Sequence, residues 1–509
     1  MFQVALYVYF LYVRNNCYLC LMAKKSINVD YKTLVCYMLP EGILDSFEIT
    51  GFKEEVTSEK DETGTVIKIL HIWLEERDLR EEVWHDLQPN GFTEYRSFND
   101  FPMREHKVLL HVRRRRWLDE SGKSVLLDTP RLIADGTCYS AEFAGFLKKW
   151  LDTYPVTAQC VGRFFRTDGK YLGRAYKEHL SDFGSWSQKA HAGEWMLLEG
   201  NMGERLSIDE TMLHKDLFTF LSNKDGHGKG GTLVAAVKGT TVVDVTRILS
   251  MIPEEKRLGV KEVTMDFSDS MRGIVEAMFP NAEIVIDCFH IMQLAGKGIE
   301  EMRLKLKRKA RADAKKQERD FKKRLEARHK ARAAYAKKHK PKLSKNKKRL
   351  GRPPKRKNEK FEPEKLANGE TRVDLLTHVR YPLLKSGDDW TDFQKSEMDI
   401  LFELYPKTKD AYNLVCSLRC IFKKRQGKDD ARKELHDWYH DVGKSQIREL
   451  FSVRDSIAEK EDYVLNYFNN RSTNASAESL NSKMKGFRSQ VRGVSDLPFF
   501  MYRLMKIFG

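Results

Sequence analysis

At 509 residues the chain is long enough for roughly three domains and a large core. Its formal net charge of +17 favours a polyanionic partner, with nucleic acid ahead of an anionic lipid surface. Eight cysteines without disulfide rhythm argue against a secreted disulfide scaffold and for a reduced, cytoplasmic setting. The charge is concentrated: residues 303–360 hold 28 Lys and Arg against 5 Asp and Glu, so the remainder is slightly acidic.

The run "FQVALYVYFLYV" (2–13) is apolar but shorter than the ~20 residues a spanning helix needs. Met22 opens "MAKKSINVDYK", an ordinary start. Residues 1–21 are therefore expected to be a mis-assigned upstream extension, with a membrane tether as the lesser alternative. Cys17 and Cys20 have the spacing of half a zinc site, but no second pair follows, so zinc is not expected.

Residues 22–135 read as an N-terminal α+β domain. "VIKILHIWLEE" (66–76) and "HKVLLHVRRRRW" (106–117) have strand character. Arg113 to Arg116 would alternate between the faces of such a strand, leaving at least two guanidiniums in water, with Arg113 and Arg115 available to phosphates. A charged strand end is the bland alternative. Residues 136–195 have helical period around the tight turn "RTDG", the order of a helix-turn-helix. Its second helix would present Lys170, Arg174 and Lys177 to a DNA groove, although many helical hairpins never touch DNA.

From 200 to 292 the period changes. "RLSIDE" reads as a short apolar strand ending at Asp209, and Gly-rich turns link it to "LFTFLSNK" and "GTLVAAVKG". A helix follows, then Val263–Met265, a strand stopping at Asp266. After a second helical segment, Ile284–Ile286 stops at Asp287, with His290 three residues on. Three hairpin-linked strands, helix, strand, helix, strand describe an α+β mixed sheet of the ribonuclease H type. Its first and fourth strands lie side by side, which would bring Asp209 and Asp266 together.

Residues 293–465 read as a mainly helical insertion that contains the basic run 303–360. That run ends in "RLGRPPKRK" (349–357). There a Gly-Arg-Pro core with Arg352, Lys355 and Arg356 resembles an AT-hook, an extended segment suited to a narrow A·T minor groove, or is simply a solvated basic linker. Cys416 and Cys420, one helical turn apart, read as core residues rather than ligands. Residues 466–509 return to the sheet domain. A polar run (469–474) leads into a helix with Glu478 followed by Lys483, Lys485 and Arg488, and the lone acid could complete a metal site.

Phosphodiester cleavage and strand transfer need an activated oxygen nucleophile and a stabilised leaving alkoxide. Two Mg²⁺ ions supply both, and carboxylates on separate elements hold them without His or Cys ligands. The chain offers no convincing Cys/His cluster.

"LSIDE", "VTMDFSDSMRGIVEAMFPNAEIVIDCFHIMQ" and "RSTNASAESLNSKMKGFRSQVRG" together resemble the three blocks of DDE transposases of bacterial insertion sequences, in particular the ISL-three type. The resemblance implies Asp209, Asp266 and Glu478 as the catalytic, Mg-binding acids, with Mn able to substitute, and Asp287 and His290 as supporting residues. It also implies binding of terminal repeats in double-stranded DNA, strand cleavage and transfer, a dimer or higher assembly on DNA, nucleoid association and no membrane. Family members usually carry an N-terminal Cys-rich zinc module. The matching segment here, "HVRRRRWLDESGKSV", has no cysteine. A nuclease of the same fold without strand transfer, or a catalytically inactive DNA-binding derivative, are the rival expectations.

Overall fold

A computed structural model describes residues 31–61, 64–80, 86–213, 215–339, 360–491 and 496–509. The proposed upstream extension with Cys17 and Cys20, and the Gly-Arg-Pro segment with Arg352, Lys355 and Arg356, lie outside the described residues. The chain divides into two compact units, Met1–Trp186 and Ser187–Gly509. Among the described residues no helix is long and apolar enough to cross a membrane.

The first unit carries strands β1 (Phe47–Lys60), β2 (Val66–Glu76), β3 (Gln88–Phe92), β4 (Arg96–Met103), β5 (His106–Arg113), β6 (Arg115–Leu118) and β7 (Ser124–Val125). They form one sheet of order β1-β2-β5-β4 and another of order β3-β6-β7. Period-two alternation buries Ile72 and Leu74 of β2 and Val108, Leu110 and Val112 of β5 on one face, beneath Leu39 and Ile43.

The arginine run departs from expectation, because the strand breaks at Arg114 and the two halves join different sheets. Register sets Glu75 opposite Arg113, and the two pair at 2.6 Å. Arg114 pairs at 3.2 Å with Glu76, which is almost fully buried and demands a cation. Arg115 donates its backbone N–H to the same carboxylate and lies over the Phe92 ring. Only Arg116 of the four is exposed.

Helices α1 (Ala141–Thr153), α2 (Ala158–Phe164) and α3 (Gly169–Ala175) follow, and α3 runs on as a π-helix, Tyr176–Leu180. Side-chain caps start each helix: Ser140, Thr157 and Asp168 accept from backbone N–H groups in the first turn. The turn between α2 and α3 is tight enough to require glycine. A Cβ on Gly169 would stand 2.4 Å from the Gln159 Cα, and one on Gly162 would stand 2.8 Å from the Gly169 Cα.

The second unit is built on a six-stranded sheet. Its elements are β8 (Trp195–Leu197), β9 (Arg205–Leu213), β10 (Asp216–Asn223), β11 (Leu233–Lys238), α4 (Val242–Leu249), β12 (Glu262–Met265), α5 (Asp269–Met278) and β13 (Glu283–Ile286). The order is β13-β12-β9-β10-β11-β8: β8 to β11 are antiparallel, while β12 pairs in parallel with both β9 and β13. β9 and β12 are therefore neighbours, as the pattern requires. β8 is an additional edge strand that its short sequence did not announce. β9 also runs four residues past Asp209, because Thr211–Leu213 pair with Asp216–Phe218 in a hairpin. Asp209 thus sits within a strand rather than at its end.

α6 (Cys288–Lys338) leaves the sheet as a 51-residue helix. Its first half is held against helices of the insertion, with Ile291, Ala295, Gly298 and Ile299 buried. From Arg311 onward it is almost wholly exposed, as the scarcity of apolar residues there dictates. The insertion continues with α7 (Arg372–His378), α8 (Asp392–Leu404), α9 (Pro406–Lys423), α10 (Lys428–Ser445) and α11 (Arg448–Glu459), whose apolar faces join the core of the sheet. On α9 Cys416 is half-buried and packs against the core as expected, whereas Cys420 is exposed. α12 (Ala475–Gln490) and α13 (Leu497–Phe508) close the chain.

Candidate active site

The last paired residues of the parallel strands are Ser207 on β9 and Thr264 on β12. Two residues further along the chain stand Asp209, still within β9, and Asp266, the first residue after β12. With a side-chain period of two, both carboxylates emerge at the same level and on the same side as that pair. Met265 is level with Ile286 on β13, so Asp287 follows Asp266 across the next interval, and its backbone N–H donates to the Met265 carbonyl at 3.1 Å. Apolar residues that must be buried thus deliver three acids to one edge.

The three are not equivalent. Asp287 is the N-cap of α6, accepting from the Phe289 N–H at 3.0 Å through Oδ1 and from the Asn474 N–H at 3.1 Å through Oδ2. Each of its oxygens is already engaged by the backbone, and it is 2% exposed. Asp266 faces His290, whose Nε2 lies 2.6 Å from Oδ1. The Asn474 side-chain amide donates to the same oxygen at 3.4 Å. Asp209 accepts from the Glu210 N–H at 2.7 Å and from the amide of Asn481.

Electrostatics report the crowding. Burial, reinforced by the negative charge of Asp266, pushes the Asp209 carboxyl up to about 6, against weaker opposition from the Glu210 N–H, His290 and Lys485. The same two causes raise Glu210. For His290 burial favours the neutral ring. The hydrogen bond to Asp266 and the charges of Asp266, Asp287 and Asp209 together outweigh it, and the imidazole is held above its ordinary range.

Glu478 enters from the other end of the insertion, in the first turn of α12. Its carboxylate comes within 4.8 Å of donor atoms of both Asp287 and His290. Among the described residues the acids and histidine that converge on one point here are thus Asp287, His290 and Glu478; Asp266 adjoins them through His290, and its charge is felt by Asp209, 269 residues before Glu478. The donor set suits a hard divalent cation: carboxylates predominate, and Asp209 is strained by a second anion that a cation would neutralise.

Of the basic residues singled out on α12, Lys483 donates to the Gly228 carbonyl at 2.6 Å and Arg488 to the Met212 carbonyl at 2.6 Å. Both hold the helix to the β9–β11 side of the sheet. Lys485 is exposed, and its charge is felt by Asp209. In the first unit Lys170 and Arg174 are exposed on one face of α3, while Lys177 is half-buried over the Phe183 ring. Arg113 and Arg115 are engaged within their own unit, as described above.

Sequence reasoning missed Asn474 and Asn481, the two amides that tie α12 to the acids. Asn481 lies one turn after Glu478, on the buried side of an otherwise charged helix, and that placement was a readable signal. Asn474 ends a polar run and carried none. A comparison with family profiles matches residues 206–504 to the ISL3 type of DDE transposase, described as a transposase. A comparison with curated proteins gives no match.

Proposed function

The chain belongs to the ISL3 family of DDE transposases, and from that premise we propose that it binds the terminal repeats of an insertion sequence, cleaves their strands and joins the freed ends to target DNA. In this reading the mixed sheet of the second unit is a ribonuclease H-like core interrupted by the helical insertion, and α1–α3 form a helix-turn-helix that contacts DNA. The observation that carries the reading is the register of β9 and β12, which sets Asp209 and Asp266 level, with Asp209 raised to about 6 by burial and by its neighbour.

Asp209, Asp266 and Glu478 would hold the metal. Asp287 would support the site, capping α6 through Oδ1 and holding the Asn474 N–H through Oδ2. Divalent ions, Mg²⁺ by preference, supply activation of the attacking oxygen and stabilisation of the leaving one when bound. The remaining work belongs to the chain. His290 keeps a proton on Nε2 against Asp266 Oδ1, fixing the rotamer of that carboxylate. Asn481 fixes Asp209, and Asn474 joins Asp266 to the start of α12. Lys485, exposed beside the acids, would meet a backbone phosphate. Action on two DNA ends makes a dimer or higher assembly the working form.

The test is incubation of the full chain with element-end DNA, with and without Mg²⁺, scored for nicked and joined products. Asp209→Asn, Asp266→Asn and Glu478→Gln should each lower cleavage at least a thousandfold while DNA binding persists. Substantial cleavage by any of them removes that residue from the site. A nicked but never joined product would leave a nuclease.

A further inference from the structure

Far along the insertion from the acids just described, three potential ligands meet. Glu370 precedes α7, His378 is the last residue of α7, and Glu397 lies on α8. Their donor atoms all lie within 4.8 Å of one another. His378 Nδ1 stands 2.9 Å from Glu370 Oε1 and 3.5 Å from Glu397 Oε1.

Glu397 is the unusual member. It occupies a core position of α8 beside Met398 and Leu401, its side chain is 3% exposed, and its Oε1, the oxygen turned toward the other two residues, has no hydrogen-bond partner. A buried carboxylate oxygen without a donor costs about 1–3 kcal/mol or more unless something else satisfies it. His378 does so only in part, at 3.5 Å and shared with a second carboxylate. With a protonated imidazole the trio keeps a net charge of −1. With a divalent ion and a neutral imidazole it is neutral.

We propose that Glu370, His378 and Glu397 form a second metal site, separate from the catalytic acids, that takes one divalent first-row transition ion of the Zn²⁺ class. Donor atoms bound at about 2.1 Å to one ion stand about 3.0 Å apart in octahedral and about 3.4 Å apart in tetrahedral geometry. The observed separations of 2.9 and 3.5 Å are of that size. One imidazole and two carboxylates select a borderline ion such as Zn²⁺ over Ca²⁺ or Mg²⁺. The exposed side of His378 leaves an entry path. Asn368 donates to Glu370 Oε2 at 3.1 Å, which leaves Oε1 for the ion. The ion would tie the turn before α7, the end of α7 and the middle of α8 into one body, and so stiffen the part of the insertion against which α6 is held.

The experiment uses the full chain stripped with chelator and loaded with Co²⁺, whose visible absorption reports imidazole and carboxylate ligation. Because the catalytic acids also bind divalent ions, the readout is a difference between chains in which those acids are intact. His378→Asn and Glu397→Gln should each bind one Co²⁺ fewer per chain than the unaltered protein. Zn²⁺ should raise the unfolding temperature of the unaltered chain by several degrees more than that of either variant. DNA cleavage in Mg²⁺ is measured on the same samples. Its failure would bear on the catalytic reading alone. Equal Co²⁺ stoichiometry in all three chains, or an equal Zn²⁺ shift of the unfolding temperature in all three, would overturn the site and leave an imidazolium ion pair.

Discussion

Replacing Asp209 with Asn should abolish strand cleavage and, in the absence of divalent ions, make the protein more stable. An ordinary Asp titrates at 3.8, and burial with the Asp266 charge raises Asp209 to about 6. The folded chain therefore holds this proton more tightly than the unfolded one, so stability falls as pH rises from about 4 and the whole penalty is present above about 6. At about 1.4 kcal/mol per pH unit the interval amounts to about 3 kcal/mol at pH 7.5. Asn removes that penalty but presents only one acceptor to the two donors, the Glu210 N–H and the Asn481 amide. One lost hydrogen bond returns about 1 kcal/mol, leaving a net gain of about 2 kcal/mol. Below about pH 4.5 the carboxyl is already protonated in the folded chain, and the advantage should vanish. Urea unfolding in EDTA at pH 7.5 and pH 4 measures the difference, with hydrogen exchange of the β9 and β10 amides isolating the unit concerned. A variant no more stable than the parent at pH 7.5, or equally stabilised at both pH values, would refute the electrostatic account of the site.

Asn481→Ala should lower cleavage about ten- to a hundredfold through a weaker hold on the divalent ion, and a titration with excess Mg²⁺ should recover much of the loss; an unrecoverable loss would point to a different role. Gly298→Ala sets helix propensity, worth about 1 kcal/mol in its favour, against a Cβ 2.9 Å from the Glu449 carbonyl oxygen and 3.1 Å from Leu450. Backbone cannot yield as a side chain can, so overpacking wins and a net loss of about 1 kcal/mol is expected in thermal unfolding. Lys315, Lys316 and Lys323 are exposed on the outer half of α6, and changing all three to Gln should reduce the slope of log affinity against log salt by about 3 if each meets a phosphate. An unchanged slope in a DNA-binding titration would take that half of the helix out of the interface.

The acids at strand ends were legible because burial on both faces makes parallel strands short and apolar, so a carboxylate closing such a run is conspicuous. Asp266 and Asp287 were found that way. Asp209 was placed by the same rule for an incomplete reason, since β9 continues to Leu213 through a hairpin that the mixed polarity of Glu210 and Thr211 concealed. What sequence could not show was long-range partnership. The arginines after β5 read as solvated because nothing nearby announces that Glu75 and Glu76, nearly forty residues earlier, end the neighbouring strand in register with them. Glu397 likewise reads as a surface acid on an amphipathic helix. Only the packing of α7 and its preceding turn against α8 buries it beside Glu370 and His378.

The same partnership explains how a site can survive an insertion of nearly two hundred residues in its middle. The chain leaves the sheet at Asp287 and is back against it from Asn466, whose amide donates to the Ile284 carbonyl, and at Asn474 it is hydrogen-bonded to Asp287 itself. The cost of closing so long a loop grows only slowly with its length, and it is met by the insertion's own core, which is continuous with that of the sheet. The ends are thus stapled beside the acids: Asp287 caps the helix that leaves, while Asn474 precedes the helix that brings Glu478 and donates to Asp266 as well. The same helix, whose basic outer half extends beyond the packed core, carries His290 in its opening turn, 2.6 Å from Asp266, so the exit from the sheet and the second acid are fixed to each other by one contact.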